Sequence, residues 1–393
     1  MASPLEGRRL WLAGIGGAGM SAYASLAQAW GAEVRGWDRV RTPYLDHLNG
    51  IDVEIRDEPP APPAGWEVFV STAFAGRIPG KSRAELLAEL VSLRDSIVVS
   101  GAHGKTTTSA MIAFCLLRVG RDPAWLIGAD IPQLGGNAGS GGGWLVVEGD
   151  ESDRTIASLR PRIAVVTNVD HDHHATFGSR AEVEELFESW LKEVPQTVRG
   201  EDLRPYDGEL SVTGEHNRRN AACALAALEL AGVAREEAEP ALAEFAGAAR
   251  RLERRGVVRG AEVYDDYAHH PAEIAATLAA LKDHGRVLAL FQPHLYSRTR
   301  HLARELAAAL AQADVVAVTD VYAAREEPVA GVSGKLVVDR LAERRPGMTV
   351  AWTPSVEDGA HFLSSRLREG DRVVTIGAGD VDRAVAMLLG ERR

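Results

Sequence analysis

Short apolar runs recur along the chain, most of them closed by a glycine or an acidic residue and followed by a stretch with helical spacing of apolar positions. The runs lie at 10–13, 33–37, 68–72, 97–99, 144–147, 163–167, 261–264, 286–290 and 373–376. Runs with little polar alternation read as strands buried on both faces, the habit of parallel sheets covered by helices. Strand and helix alternating over the whole length predict an α/β protein built from βαβ units. Helices are expected after Gly19 up to about Trp30, from Ser109 to Phe114, and in the Ala/Leu-rich stretch that follows Arg300. The glycine-rich segment 135–143 reads as a flexible loop, and the prolines from Pro59 to Pro63 as a loop inside the first unit.

Length and charge narrow the class. A chain of 393 residues has room for roughly two to three domains, and a boundary is expected near Asp95, where a second strand, loop and helix series begins. The net charge of −11 disfavours a nucleic-acid or anionic-membrane surface and points to small-molecule partners. Cys115 and Cys223 sit apart in apolar helical stretches, so both read as reduced core residues. No apolar run approaches the ~18 residues of a membrane span, and the start of the chain lacks a secretory pattern, so a cytoplasmic protein is expected.

The chemistry concentrates at strand ends. Gly101-Ala102-His103-Gly104-Lys105-Thr106-Thr107-Thr108 follows one apolar run and opens a helix. Backbone N–H groups at that helix start face an anion, Lys105 adds a point charge, and the Thr106 hydroxyl is placed for magnesium. Val99 stands where the commonest phosphate-loop pattern has its first glycine. Gly14-Ile15-Gly16-Gly17-Ala18-Gly19, with Asp38 about twenty residues on, is a weaker signature that suits a dinucleotide or a nucleotide-sugar equally well. Two further strands deliver Glu148 to Asp153 and Asn168 to His174, where acids and histidines beside a phosphate loop suit magnesium. Adjacent residues of the His171 to His174 run point in different directions, which argues against one zinc ion gathering them all.

Later clusters complete a pattern: 214–220 (Gly-Glu-His-Asn-Arg-Arg-Asn), 250–253 (Arg-Arg-Leu-Glu), 265–271 (Asp-Asp-Tyr-Ala-His-His-Pro) and 291–299 (Phe-Gln-Pro-His-Leu-Tyr-Ser-Arg-Thr). With the motifs above, in this order, the chain resembles the Mur ligases of peptidoglycan synthesis. The resemblance implies three domains: a Rossmann-like sugar-nucleotide domain at 1–95, a P-loop ATPase domain at 96–250, and a Rossmann-like amino-acid domain at 251–393. It also implies ATP and Mg2+ as cofactors, and UDP-N-acetylmuramate and L-alanine as partners. A monomer or weak homodimer is expected, without nucleic acid or membrane insertion.

Roles follow residue by residue from the same resemblance. Gly101, His103, Gly104, Lys105, Thr106 and Thr107 would hold ATP phosphates, and His216 and Asn217 the adenine. Arg251 and Asp266 would reach the nucleotide when the domains close. Thr106 and Glu148 would ligate one magnesium and His173 a second. Gly16, Gly17, Ala18, Gly19, Met20, Ser21, Asp38 and Ser71 would hold the UDP-sugar. Tyr267, His269, His294 and Arg298 would line the amino-acid pocket, with Lys105 and His269 catalytic.

Some residues depart from the pattern. The span from His173 to Gly214 is short, so the central domain reads as shortened and 194–206 as little more than a connector. Ala102 replaces a common threonine, and Leu295 stands where many relatives carry arginine. Lys192 reads as a surface helix residue rather than the carbamylated lysine of some relatives. A related ligase that adds a peptide, and a silent nucleotide-binding relative, are the alternatives. An oxidoreductase would leave the loop at 104–108 unexplained.

Overall fold

The computed structural model describes residues 3–170, 176–282, 285–324 and 326–390. Two compact units emerge, one comprising 1–212 with 217–246, the other 213–216 with 247–393.

The first unit holds two sheets. Strands β1 (Arg9–Ala13), β2 (Glu33–Asp38), β3 (Asp52–Ile55), β4 (Glu67–Val70) and β5 (Lys81–Ser82) form the first, in the order β3-β2-β1-β4-β5. All pairs are parallel, with Leu10 beside Val34 on one side and Glu67 on the other. Helices α1 (Ala18–Ala29) and α2 (Arg83–Ser92) accompany it. The second sheet comprises β6 (Ser96–Ser100), β7 (Ala124–Leu126), β8 (Ala138–Ser140), β9 (Leu145–Glu148), β10 (Ile163–Val166) and β11 (Gln196–Arg199), ordered β11-β10-β6-β9-β7-β8. Only β8 runs antiparallel there among the described residues. Its helices are α3 (Lys105–Arg118), α4 (Arg180–Leu191), α5 (Glu215–Leu230) and α6 (Arg235–Ala243), the first residues of α5 being assigned to the other unit.

The second unit carries a third sheet of β12 (Glu253–Val258), β13 (Ala261–Asp266), β14 (Val287–Phe291), β15 (Val315–Val318), β16 (Thr349–Trp352) and β17 (Arg372–Ile376). The order is β12-β13-β17-β14-β15-β16, parallel except for β12. Helices α7 (Pro271–Lys282), α8 (Tyr296–Leu310), α9 (Gly334–Arg344), α10 (Val356–Ser364) and α11 (Arg383–Leu389) complete it. Alternate residues of β14 feed opposite cores: Val287, Ala289 and Phe291 one, Leu288 and Leu290 the other. That two-sided burial explains why its sequence shows no polar alternation.

Two expectations change. The segment 194–206 is more than a connector, because Gln196–Arg199 pairs in parallel with Ile163–Val166 as the edge of the second sheet, with Val198 buried. An edge strand with one buried apolar residue leaves little pattern to read. The glycine-rich stretch includes β8, where Gly139 lies under Trp125: a Cβ there would stand 2.3 Å from the indole. Composition mimicked a linker where the need was close approach.

Each sheet places a loop at the carboxyl ends of its strands where neighbours run to both sides, the position at which α/β folds bind ligands. The loop after β1 leads to α1, that after β6 to α3, and that after β14 to α8. These helices begin after Gly17, Gly104 and Leu295, none of which caps its helix with a side chain among the described residues. By contrast Ser82, Ser179 and Ser355 cap α2, α4 and α10. Uncapped starts leave N–H donors available, although at α8 the Ser297 N–H is taken by Glu326 from a distant loop.

Candidate active site

The loop between β6 and α3 is pinned from β10. Thr167 Oγ1 and Asn168 Nδ2 donate to the His103 carbonyl at 2.6 and 2.8 Å, and the His103 N–H donates to Asn168 Oδ1 at 3.0 Å. Gly101 (φ +130°) and Gly104 (φ +84°) are in the region that favours glycine, and a Cβ on Gly104 would stand 2.2 Å from Asn220 Oδ1. The loop therefore brings Gly101, His103, Gly104, Lys105, Thr106 and Thr107 together at the start of α3.

Lys105 Nζ donates to the Gly101 carbonyl at 2.6 Å and to Glu151 at 3.1 Å. Burial opposes its charge, but Glu151, Glu148 and Asp150 outweigh it and raise the lysine pKa, so the ammonium persists at neutral pH. Thr106 Oγ1 donates to Glu148 Oε1 at 3.0 Å, while the Gly128 N–H donates to Glu148 Oε2 at 2.7 Å. The hydroxyl and carboxylate form a pair of hard oxygen donors, which suits magnesium, an ion that keeps several waters and uses few protein oxygens beside phosphate. His173 lies outside the described residues.

His216 and Asn217 occupy successive positions near the start of α5. Burial lowers the His216 pKa, keeping the ring neutral, and Asn220 Nδ2 donates to the buried Asn217 Oδ1 at 3.3 Å.

At the end of β1, the Gly16 N–H donates to Asp38 Oδ2 at 2.7 Å, and Thr42 Oγ1 donates to the Gly16 carbonyl at 2.6 Å. Asp38 Oδ1 takes the Arg39 N–H at 2.7 Å. Asp38 thus shapes the turn that presents Gly17, Ala18, Gly19, Met20 and Ser21. Gly14 (φ +79°) makes room for Ser71, whose Oγ would stand 2.1 Å from a Cβ there.

The third sheet gathers Tyr267, His269, His294 and Arg298. The His269 ring meets Tyr267 edge-on at 5.6 Å and His294 at 5.7 Å, and His294 stacks on Tyr322 at 5.9 Å. His269 Nδ1 lies 3.1 Å from the Tyr267 carbonyl, which can only accept, so Nδ1 carries the proton. Arg298 Nη1 lies 3.3 Å from His294 Nδ1, and a guanidinium can only donate, so there Nδ1 accepts. Burial pulls both ring pKa values down to about 4, with Arg298 also disfavouring the cationic forms.

Asp266 is engaged close to home, accepting from the N–H of Leu252 and Ala268 and from the Thr277 hydroxyl at 2.8, 2.7 and 3.1 Å. Burial raises its pKa to about 6. Arg251 lies over the Tyr267 ring at 5.2 Å.

Several contributors escape sequence reasoning. Glu151 rather than the strand-end acid holds Lys105, Gly128 completes the grip on Glu148, and Glu326 accepts from the Ser297 N–H at 2.9 Å and from its hydroxyl. Tyr322 pairs through its backbone with Pro293 and Leu295. The acidic run 148–153 did hint at Glu151; the others lie too far along the chain to signal their role.

Comparison with known proteins places these features. Residues 99–199 match the Mur ligase middle domain, and 250–379 the domain described as Mur ligase, glutamate ligase domain. The UDP-N-acetylmuramate–L-alanine ligase of Renibacterium salmoninarum is 38% identical over 449 aligned positions, covering 97% of this chain and 95% of the relative. That of Dictyoglomus turgidum is 33% identical over 457 positions, covering 99% and 98%. Both alignments are longer than the 393-residue chain, so the relatives carry residues without counterpart here. The crystal structure of the UDP-N-acetylmuramate-alanine ligase from Thermotoga maritima shares the fold with a TM-score of 0.78 at 24% identity, covering 97% of this chain and 98% of the other.

Proposed function

We infer the activity from the premise that this chain belongs to the Mur ligase family, with its three-domain α/β fold. It is an ATP-dependent ligase that joins L-alanine to the lactyl carboxylate of UDP-N-acetylmuramate in peptidoglycan synthesis, releasing ADP and phosphate. The observation that carries this reading is the nearly full-length likeness to ligases of that name at up to 39% identity. Division at 95/96 and 250/251 belongs to the proposal, supported by the three separate sheets.

A carboxylate is a poor electrophile at neutral pH. The lactyl carboxylate oxygen therefore attacks the γ-phosphorus of ATP, ADP leaves, and an acyl phosphate forms. Lys105 and the N–H groups opening α3 neutralise charge spread over the transferring group, so catalysis here is positioning and electrostatics. Thr106 and Glu148 would hold magnesium, which when bound offsets charge on the triphosphate oxygens. His216 and Asn217 receive the adenine.

The amine of alanine then attacks the acyl carbon, the C–O bond to phosphate breaks, and the amine proton passes to solvent. Arg298 pairs with the alanine carboxylate. With its Nδ1 proton committed to the Tyr267 carbonyl, His269 turns an Nε2 lone pair toward an incoming amine. A ring whose pKa is about 4 remains uncharged and aligns the amine, and it makes a weak proton store.

Mass spectrometry of purified chain incubated with ATP, magnesium, L-alanine and UDP-N-acetylmuramate tests the reading, with Lys105→Ala as control. Formation of UDP-N-acetylmuramoyl-alanine by the wild type, with at most a trace from the variant, is the expected result. Absence of that product under all conditions would overturn it. Release of ADP with serine, glycine or a tripeptide in place of alanine measures selectivity.

A further inference from the structure

A sugar-nucleotide diphosphate carries negative charge that a nearby cation would help to offset, and the cradle of Gly16 to Ser21 with Asp38 and Ser71 contains no cationic side chain. Asp38 adds a negative charge close to the turn. The structure does bring a guanidinium to this place. Arg83 Nη1 stands 3.3 Å from where a Cβ on Gly19 would lie, against the first turn of α1.

That position is electrostatically costly for an isolated protein. Helix α1 starts without a capping side chain or an acidic residue in its first turn, so its positive end faces Arg83. Arg83 is itself the first residue of α2, whose own start is capped by Ser82 and Glu85. The nearby carboxylate of Asp153 is 3.6 Å from Nη2, beyond hydrogen-bond distance, and is 38% exposed. Arg83 Nε is buried and makes no hydrogen bond among the described residues.

A second donor at the same loop is also unsatisfied. Ser71 is 9% exposed, its Oγ has no hydrogen-bond partner among the described residues, and it fills the space that Gly14 leaves by lacking a Cβ. Unsatisfied buried donors beside a helix start are the arrangement that an anion completes.

We propose that Arg83 is the cation that holds the diphosphate of the sugar nucleotide over the start of α1, with Ser71 as a second donor. This rests on the proposed ligase activity and names a residue for its first substrate. A rival role for Arg83 is a strut to Asp153, and the two separate experimentally.

The probes are UDP and uridine, titrated calorimetrically into wild type, Arg83→Ala, Arg83→Lys and Asp153→Ala. Loss of a charge-assisted contact is expected to weaken UDP about tenfold or more in Arg83→Ala, leaving uridine within about twofold. Arg83→Lys should recover part of the loss, and Asp153→Ala should bind UDP like the wild type. ATP affinity, measured on the same preparations, should be unchanged throughout. If Arg83→Ala binds neither UDP nor ATP, the lysine variant decides, and its failure to separate UDP from uridine overturns the proposal. Unchanged UDP affinity in Arg83→Ala overturns the proposal alone, as does an equal loss in Asp153→Ala. A wild type that binds no UDP overturns the sugar-nucleotide reading itself.

Discussion

His269 and His294 face each other 5.7 Å apart with opposite nitrogens protonated: Nδ1 carries the proton in the first and accepts in the second. The Tyr267 carbonyl fixes one ring and Arg298 the other. The Nε2 of His269 is therefore an acceptor and that of His294 a donor, so the pair offers both roles to an amino acid without a net charge.

Burial holds both rings near 4, below the ordinary histidine value. Between about pH 4 and 6.5 the unfolded chain binds protons that the native rings refuse, so their contribution is intact above this window and lost as pH falls through it. Asp266, raised to about 6, opposes this with a contribution lost as pH rises. Asp265, which burial also raises, acts in the same sense as Asp266. The share of the urea midpoint that depends on the two rings should fall between pH 7 and pH 5, so the wild type should lose more stability over that range than the His269→Gln, His294→Gln double variant.

Removing the Lys105 ammonium should lower product formation by about 10²–10³-fold at saturating ATP, the scale for losing one preorganised donor to a developing charge. Glu151→Ala keeps the lysine but strips a nearly buried partner. Breaking such a pair costs about 3 kcal/mol. Urea unfolding measures that loss, and steady-state kinetics should separate it from the lysine effect.

Gly104 has φ of +84° and its missing Cβ faces Asn220 Oδ1 at 2.2 Å. Gly104→Ala therefore combines backbone strain of about 1–3 kcal/mol with a clash in the phosphate loop. ATP affinity should fall while the UDP affinity of the same variant stays at the wild-type level, as paired titrations would show.

Helix α8 starts after Leu295, which sits at φ +69° and has no side-chain oxygen, and Glu326 supplies the missing acceptor to the Ser297 N–H. Glu326→Ala should cost about 1 kcal/mol, the usual value of a helix cap. Because Arg298 lies on the same first turn, the KM for alanine should rise severalfold with the KM for ATP unchanged.

Much of this architecture is legible locally. The 101–108 loop announces itself because strand, glycine turn, lysine and helix are contiguous, and β14 because both its faces are buried. Gln196–Arg199 escapes because an edge strand with one buried apolar residue lacks a pattern, and Ala138–Ser140 because glycines chosen for Trp125 mimic a linker. The clamp on Leu295 and Ser297 is hidden for a different reason: Tyr322 and Glu326 lie some thirty residues on, beyond β15, and meet the start of α8 through the pairing of β15 with β14. Asp38 matched its motif, yet its carboxylate shapes the turn through Gly16 and Arg39, a use that spacing alone does not reveal.

The contact between Lys105 and Glu151 also bears on which anions the loop favours. A lysine already neutralised by a near neighbour offers little to a chloride or a solitary phosphate ion in the surrounding medium. A polyphosphate chain, which also engages the peptide N–H groups and brings its own metal, can compete for that ammonium. The arrangement therefore favours a polyphosphate over a solitary ion at this loop.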